Sequence, residues 1–493
     1  MGVPNWLSLS QSTGNSGTTV IIVSAKTNSD NTTRYTIIPV YTINTDLKES
    51  VNVIQASSGY DPTLYYDYLT FGIQEAGDIY LNGIGYYKRN NDDWVYFNSN
   101  TTSSITASKN DIIKWKSNST FNYFFGDDQS GTTSIKFYVY GNILSLFYGD
   151  NFVNYDVLPS NKTCMDLFYR CTGLTNAVDL KLPNNTTPYC YAYMFAGCTS
   201  LVSVPKVLPA TTLSNNCYSG MFQHCTSLIY PPDLPATTLA EYCYSGMFDG
   251  CTSLERKISI SATTLAKECC YGMFSGCTNL RTPPELPSTT LAKGCYGFMF
   301  DGCTSLIYPP DLPATTLAEY CYQGMFRGCT SIQEILELPA TTLTRGCYMY
   351  MFDSCTSIQQ ISEGSLPATI LANDCYGSMF AGCTSLYDAP SSLLPATTLA
   401  SGCYGSMFLG CTSLVFVPEL LADTLVDRCY EGMFYGCSQL KQIICLATNI
   451  DANKCTNDWV KGVASSGTFI KASGINWPTG RDGIPSGWEI VEY

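Results

Sequence analysis

Twenty-five cysteines are the residues in this 493-residue chain most able to do chemistry. So many could form a disulfide framework or hold zinc. Their spacing argues against both. From Cys190 onward they come in pairs with seven residues between the members, as in Cys217 and Cys225, Cys243 and Cys251, and Cys295 and Cys303. No CxxC occurs, and His224 is the only histidine, so metal ligands are not clustered. Regular pairs suit two files of small buried hydrophobes. Disulfides between copies would need an oxidising export context. The N-terminus, MGVPNWLSLSQSTG, has neither a basic n-region nor an apolar h-region, and position 6 is a tryptophan that breaks the myristoylation pattern. The cysteines are therefore expected to be reduced and buried.

Other catalytic chemistry is as poorly supplied. His224 stands where neighbouring copies of the motif have glycine, which marks a tolerant surface turn rather than a general base. Asp233 and Asp311 are copies of one repeat position, and no carboxylate pair stands out for glycosidase chemistry. No glycine-rich turn is followed by the lysine and helix of a nucleotide site. No catalytic, cofactor-binding or metal-binding residue is nominated, and no cofactor is expected. The net charge of −14 and the lack of basic runs speak against nucleic acid as a partner. No stretch reaches the ~18 apolar residues of a membrane-spanning helix, so no insertion is expected.

What positions the cysteines is a repeat. The phrase CYxxMFxGCTSLxxxPxLPATTLA recurs from Cys190, its second cysteine falling at Cys198, Cys225, Cys251 and on to Cys437 in steps of 26 to 28 residues. A degenerate first copy, CMDLFYRCTGL, gives about eleven coils, and residues 225–244 and 303–322 are identical. A period of 26 is too short for a helix pair and lies in the leucine-rich range. CYxGMFxGC reads as one or two helical turns with Tyr, Met, Phe and the second Cys inward. SLxxxPxLP reads as extended, because each proline biases the residue before it that way. Leu228, Leu254 and Leu280 would form one apolar ladder, and Leu239, Leu265 and Leu291 of the ATTLA segment another. One copy cannot bury its own face, but stacked neighbours can.

These residues resemble the BspA-like leucine-rich repeats, related to the Treponema pallidum type, whose units read IPxxVTxIGxxAFxxCxxLxxI. Leu234-Pro235 takes the place of Ile-Pro, Met247-Phe248 that of Ala-Phe, and Cys251 that of Cys. The resemblance covers about 164–445, and the Thr-Thr pair and the Cys-Tyr depart from it. It implies a surface adhesion or recognition protein and no enzyme.

Ahead of the repeats, residues 1–58 form a short β-domain similar to BACON domains, carried by Trp6-Leu7-Ser8, Gly17, the Thr19–Val23 strand, Asn28, Arg34 and the run 51–55. That likeness implies an immunoglobulin-like module with a proposed carbohydrate or mucin ligand. Residues 59–160 read as a second, aromatic-rich β-domain with turns every ~10–12 residues, as in a sandwich. Its last strand should run into the first coil. The fold class expected is mainly β: N-terminal immunoglobulin-like β-sandwich domain or domains, a leucine-rich-repeat solenoid over 161–445, and a capping segment over 446–493.

The combination is similar to what crAss-like phages of gut Bacteroidota encode. It implies a non-enzymatic virion appendage, a tail or head fibre or decoration protein. Such a protein is made in the host cytoplasm, displayed on the virion surface, and recognises a host-surface glycan or protein beside other virion proteins. A homo-oligomer is compatible with that setting, although no coiled-coil or collagen-like tract marks one. The alternatives are a bacterial cell-surface adhesin and, last, a glycan-processing enzyme. The binding strip should be the variable pair after the first repeat leucine: Ile229-Tyr230, Glu255-Arg256, Arg281-Thr282, Ile307-Tyr308, Gln333-Glu334, Gln359-Gln360, Tyr387-Asp388 and Val415-Phe416. Tyr230, Tyr308, Tyr387 and Phe416 are its candidate ligand contacts, because aromatic rings stack on sugars and anchor protein partners.

Overall fold

The computed structural model describes the backbone of four strands within residues 7–55, and then residues 67–118, 125, 133–255 and 258–493. It divides into two compact units, Met1–Asp67 and Tyr68–Tyr493. In the first, β1 (Leu7–Thr13) pairs antiparallel with β2 (Thr19–Ala25), and β3 (Arg34–Tyr41) with β4 (Lys48–Gln55). β2, β3 and β4 are the β-branched runs of the sequence, whereas β1 falls on the serine-rich stretch before them. Trp6, Gly17 and Asn28 lie outside the described residues.

The second unit opens with a six-stranded sheet in the order β12-β11-β5-β10-β7-β8. Its members are β5 (Leu69–Ile73), β7 (Ile84–Arg89), β8 (Val95–Asn98), β10 (Ile112–Lys116), β11 (Phe137–Asn142) and β12 (Leu174–Lys181). A separate hairpin joins β6 (Gly77–Tyr80) to β9 (Ser104–Ala107). Central β5 is buried along its whole length, whereas buried residues of β10 and β11 alternate with less buried ones; Phe71 and Trp115 pack against Phe125, and Phe137 against Phe71. β11 pairs parallel with β12, which already belongs to the first repeat copy. The front strand thus runs into the stack, as its sequence suggested.

The repeats do not form helical turns. Over 214–225 the backbone N–H groups alternate between two partners. Cys217, Ser219, Met221, Gln223 and Cys225 donate to the carbonyl three residues back, closing consecutive turns. Tyr218, Gly220, Phe222 and His224 donate to Cys243, Ser245, Met247 and Asp249 of the next copy. The chain can bond both within and between copies because every fourth residue is left-handed: Asn216 (φ 58), Gly220 (φ 60) and His224 (φ 57). Half of the N–H groups then point along the stack, which an α-helix does not allow. The only α-helix among the described residues is α1 (Ser145–Tyr148).

Inside the ladder lie the residues expected there. Tyr218, Met221, Phe222, Cys225 and Leu228 are all buried. The phenylalanines form one column of parallel rings, from Phe125 against Phe168 to Phe408 against Phe434, with centroids 5.5 Å apart at Phe222 and Phe248. The buried tyrosines form a second column. Truncating one such phenylalanine to alanine should cost about 3–5 kcal/mol. The extended segments shrink to single parallel bridges, such as Ser203 to Tyr230 and Thr212 to Thr238 to Thr264. Prolines interrupt each segment and have no N–H for a longer ladder.

All 25 cysteines are buried, and none is in a disulfide. The second file has a specific partner. Cys225, Cys251 and Cys277 each donate through Sγ to a phenylalanine carbonyl of the preceding copy, at 3.0–3.1 Å.

The left-handed trio recurs twelve times, from Lys162, Asp166 and Arg170 to Lys454, Asp458 and Gly462. The last copy lies inside the segment read from sequence as a cap, hidden because Trp459 replaces the methionine and Val460 the phenylalanine of the motif. Beyond it, residues 481–483 take the place of a further copy. Asp458 N donates to the Asp482 carboxylate (2.6 Å), Val460 N to Arg481 O (3.3 Å), and the Trp459 indole to Gly483 O (2.9 Å). A three-stranded parallel sheet, β13 (Gln442–Cys445), β14 (Thr468–Lys471) and β15 (Glu489–Glu492), completes this end.

Candidate binding site

The four aromatics of the strip are all exposed: Tyr230 by 47%, Tyr308 by 73%, Tyr387 by 44% and Phe416 by 59%. The adjacent leucines are buried, so packing fixes the frame and leaves these positions to solvent. They are not one cluster. Tyr230 and Tyr308 are three copies apart, roughly 15 Å at about 4.8 Å per stacked strand. Only Tyr387 and Phe416 occupy neighbouring copies, and there Phe416 is in register with Asp388 rather than with Tyr387. Arg256 lies outside the described residues.

A concave site exists elsewhere, on the turn ladder. A groove of about 440 Å³ runs along the second file of left-handed residues. Its floor is Gly220, Gly246 and Gly272, with Tyr193 at one end and Phe298 at the other, all in equivalent positions of successive copies. A side chain on Gly246 or Gly272 would meet nothing within 4 Å, so the middle of the groove is open. Each ring leans onto the glycine of the next copy. A Cβ on Gly220 would strike the Tyr193 ring, and one on Gly324 the Phe298 ring.

Tyr271 supplies the third ring. The two preceding copies read Cys-Tyr-Ser-Gly, but here the motif reads Cys269-Cys270-Tyr271-Gly272. Cys270 fills the place of the buried tyrosine, and the ring moves one residue on and turns out, 37% exposed. It rests over Gly297 and against Phe298 at 5.6 Å.

One wall is polar. Gln223 donates to Asp249 (2.8 Å), and Arg327 binds Asp301 with two hydrogen bonds (2.9 and 2.8 Å) while covering the Phe298 ring at 5.0 Å. Those bonds to Asp301 are the main reason the Arg327 guanidinium holds its proton more tightly than usual. Next along this file, partial burial raises the Asp353 carboxyl. The wall so reads amide, carboxylate, hydroxyl (Ser275), carboxylate, guanidinium.

No strip residue lines this groove. Sequence reasoning missed it, although two departures from the repeat mark it: the displaced Tyr271, and aromatic rings at 193 and 298 where the intervening copies have glycine. His224 is an exposed left-handed turn residue whose ring lies over Gly250. Asp233 and Asp311 are both exposed, three copies apart. Among the described residues no group of three potential metal ligands comes together, and no helix is long and apolar enough to cross a membrane.

Residues 161–307 and 294–418 match the model of the BspA type leucine rich repeat region, in six copies. No curated protein and no solved structure matches the chain. Together the matched segments cover just over half of its length, and the chain belongs to the BspA-type leucine-rich-repeat family.

Proposed function

We propose that the chain is a non-enzymatic recognition protein of a phage virion, a tail or head fibre or decoration protein that binds a glycan or protein on the host cell surface. Its repeat family is of a generally non-enzymatic kind and points to a binding or structural surface protein. The observation that carries the reading is the division of each copy into a buried, nearly invariant frame and exposed, variable positions that include Tyr230, Tyr308, Tyr387 and Phe416. A rigid stack offers such positions as an extended contact surface. In this reading residues 161–445 and the further copy at 454–462 belong to a leucine-rich-repeat solenoid, and the residues beyond 462 are its cap. Residues 59–160 are an immunoglobulin-like module, consistent with the strands over 69–116, and residues 1–58 a BACON-like domain for attachment or glycan contact. Other virion proteins are its neighbours, and the virion surface is its place of action.

Display on a bacterial cell is the second reading, and the repeat family fits it equally well. Imaging the native assembly with antibodies against residues 161–445 separates the two. Label on purified particles supports the virion protein, and label confined to the cell envelope of uninfected bacteria supports the adhesin.

A further inference from the structure

We infer that the groove between Tyr193 and Phe298 is a second binding site, for a neutral glycan chain. It is distinct from the exposed strip, and it rests on the reading of the protein as a recognition molecule.

The groove has two kinds of surface. Its floor and ends present ring faces (Tyr193, Tyr271, Phe298) and bare glycine backbone, which suit the C–H faces of pyranose rings. Its wall presents hydroxyl-ordering groups in a row: the Gln223 amide, Asp249, Ser275 and Asp301. Carboxylates held in place by neighbouring donors are strong acceptors for hydroxyl groups.

The same features select against other ligands. Of the charged wall residues, Asp249 and Asp301 outnumber Arg327, and Arg327 is already engaged by Asp301. An anionic glycan would meet net negative charge here, on a chain of net charge −14. An extended peptide would need free main-chain groups to pair with. The floor has no free N–H to give: Ser219 and Ser245 donate within their own copies, and Gly220, Gly246 and Gly272 donate to Ser245, Tyr271 and Gly297 of the next. Recognition must therefore use side chains and ring faces. The groove also runs along the stack, so a linear chain can lie across successive copies that each offer the same spacing.

The fold supplies its own blocking variant. Tyr193, Phe298 and Tyr350 occupy the position equivalent to Gly246 with φ of 54, 52 and 59°. An aromatic ring is therefore tolerated there. Gly246→Tyr should fold, with its ring leaning onto Gly272 and filling the groove. Asp249→Asn keeps the shape and removes one charge.

The test is calorimetric titration of the full chain with neutral gluco-, manno- and galacto-oligosaccharides, their sulfated or sialylated counterparts, and tyrosine- and arginine-rich peptides. The expected result is binding of at least one neutral series, weakened tenfold or more in both Gly246→Tyr and Tyr193→Ala and several-fold in Asp249→Asn, with the melting temperature of Gly246→Tyr unchanged. Neutral binding that survives Gly246→Tyr, preference for anionic glycans, preference for peptides, or binding of no probe would each overturn the inference. The variant lacking the aromatics at 230, 308, 387 and 416 leaves the groove intact. Its loss of host-cell binding, with oligosaccharide binding retained, would uphold both readings. Failure of the groove leaves that cell-binding result standing by itself.

Discussion

The Cys251 thiol donates to the Phe222 carbonyl of the preceding copy at 3.0 Å, and this contact explains why cysteine recurs at the second position of the pair. The site is fully enclosed by the phenylalanine column and the turn ladder, so the side chain must be small, apolar and able to donate. Cys251→Ala removes both volume and donor and should cost about 1–3 kcal/mol. Cys251→Ser keeps a donor and should cost less than Cys251→Ala. Urea unfolding of the two variants orders them, and a reversed order would show that size alone selects the residue.

The first file of tyrosines behaves differently. The hydroxyls of Tyr348 and Tyr404 are buried without a hydrogen-bond partner. A buried unsatisfied hydroxyl is unfavourable. Tyr348→Phe and Tyr404→Phe should therefore leave stability equal or raise it by about 1 kcal/mol. A loss comparable to that of Phe352→Ala would contradict the assignment.

Alkali should weaken the protein through its buried thiols. Burial pushes the thiols of Cys347, Cys375, Cys411 and Cys445 from an ordinary 9.0 up to about 12. The unfolded chain ionises these thiols above pH 9.0 while the folded chain keeps them protonated. The unfolded state then binds fewer protons, so stability falls as pH rises. The contribution is fully present below 9.0 and is lost through the interval up to about 12. Urea midpoints should be flat with respect to these groups below the lower limit and fall steeply above it. A midpoint unchanged through that interval would mean the thiols are accessible to water.

The end of the stack is closed by specific bonds. Asp482 accepts from Asp458 N, where the ladder would otherwise leave a donor unmet. Asp482→Ala should lower stability by about 1–2 kcal/mol, in line with loss of other backbone caps. Ending the chain near Cys437 removes the Trp459 ring that covers Tyr430 and Phe434, and should make the protein insoluble. A soluble truncation that keeps its melting temperature would refute the capping role.

Much of this was legible in the residues. The period of the motif placed Tyr218, Phe222, Cys225 and Leu228 inside, and they are inside. The exposure of Tyr230 and Phe416 followed from their variation against that frame. The turn ladder was not legible, because a four-residue alternation of left-handed positions filled by Asn216, Gly220 and His224 has no single residue signature. The twelfth copy escaped notice because Asp458, Trp459 and Val460 depart from Gly, Met and Phe while keeping the backbone path. The groove escaped because it is defined by what Gly246 and Gly272 lack, and by Tyr271 standing one place late.

Binding of the purified chain to host cells, measured beside a variant with alanine at Tyr230, Tyr308, Tyr387 and Phe416, tests the central claim most directly. Each of these side chains is exposed, so the variant should melt at the same temperature as the parent. The account predicts saturable binding by the parent and at least a tenfold loss in the variant. Equal binding by the two proteins would contradict it and move recognition away from the strip.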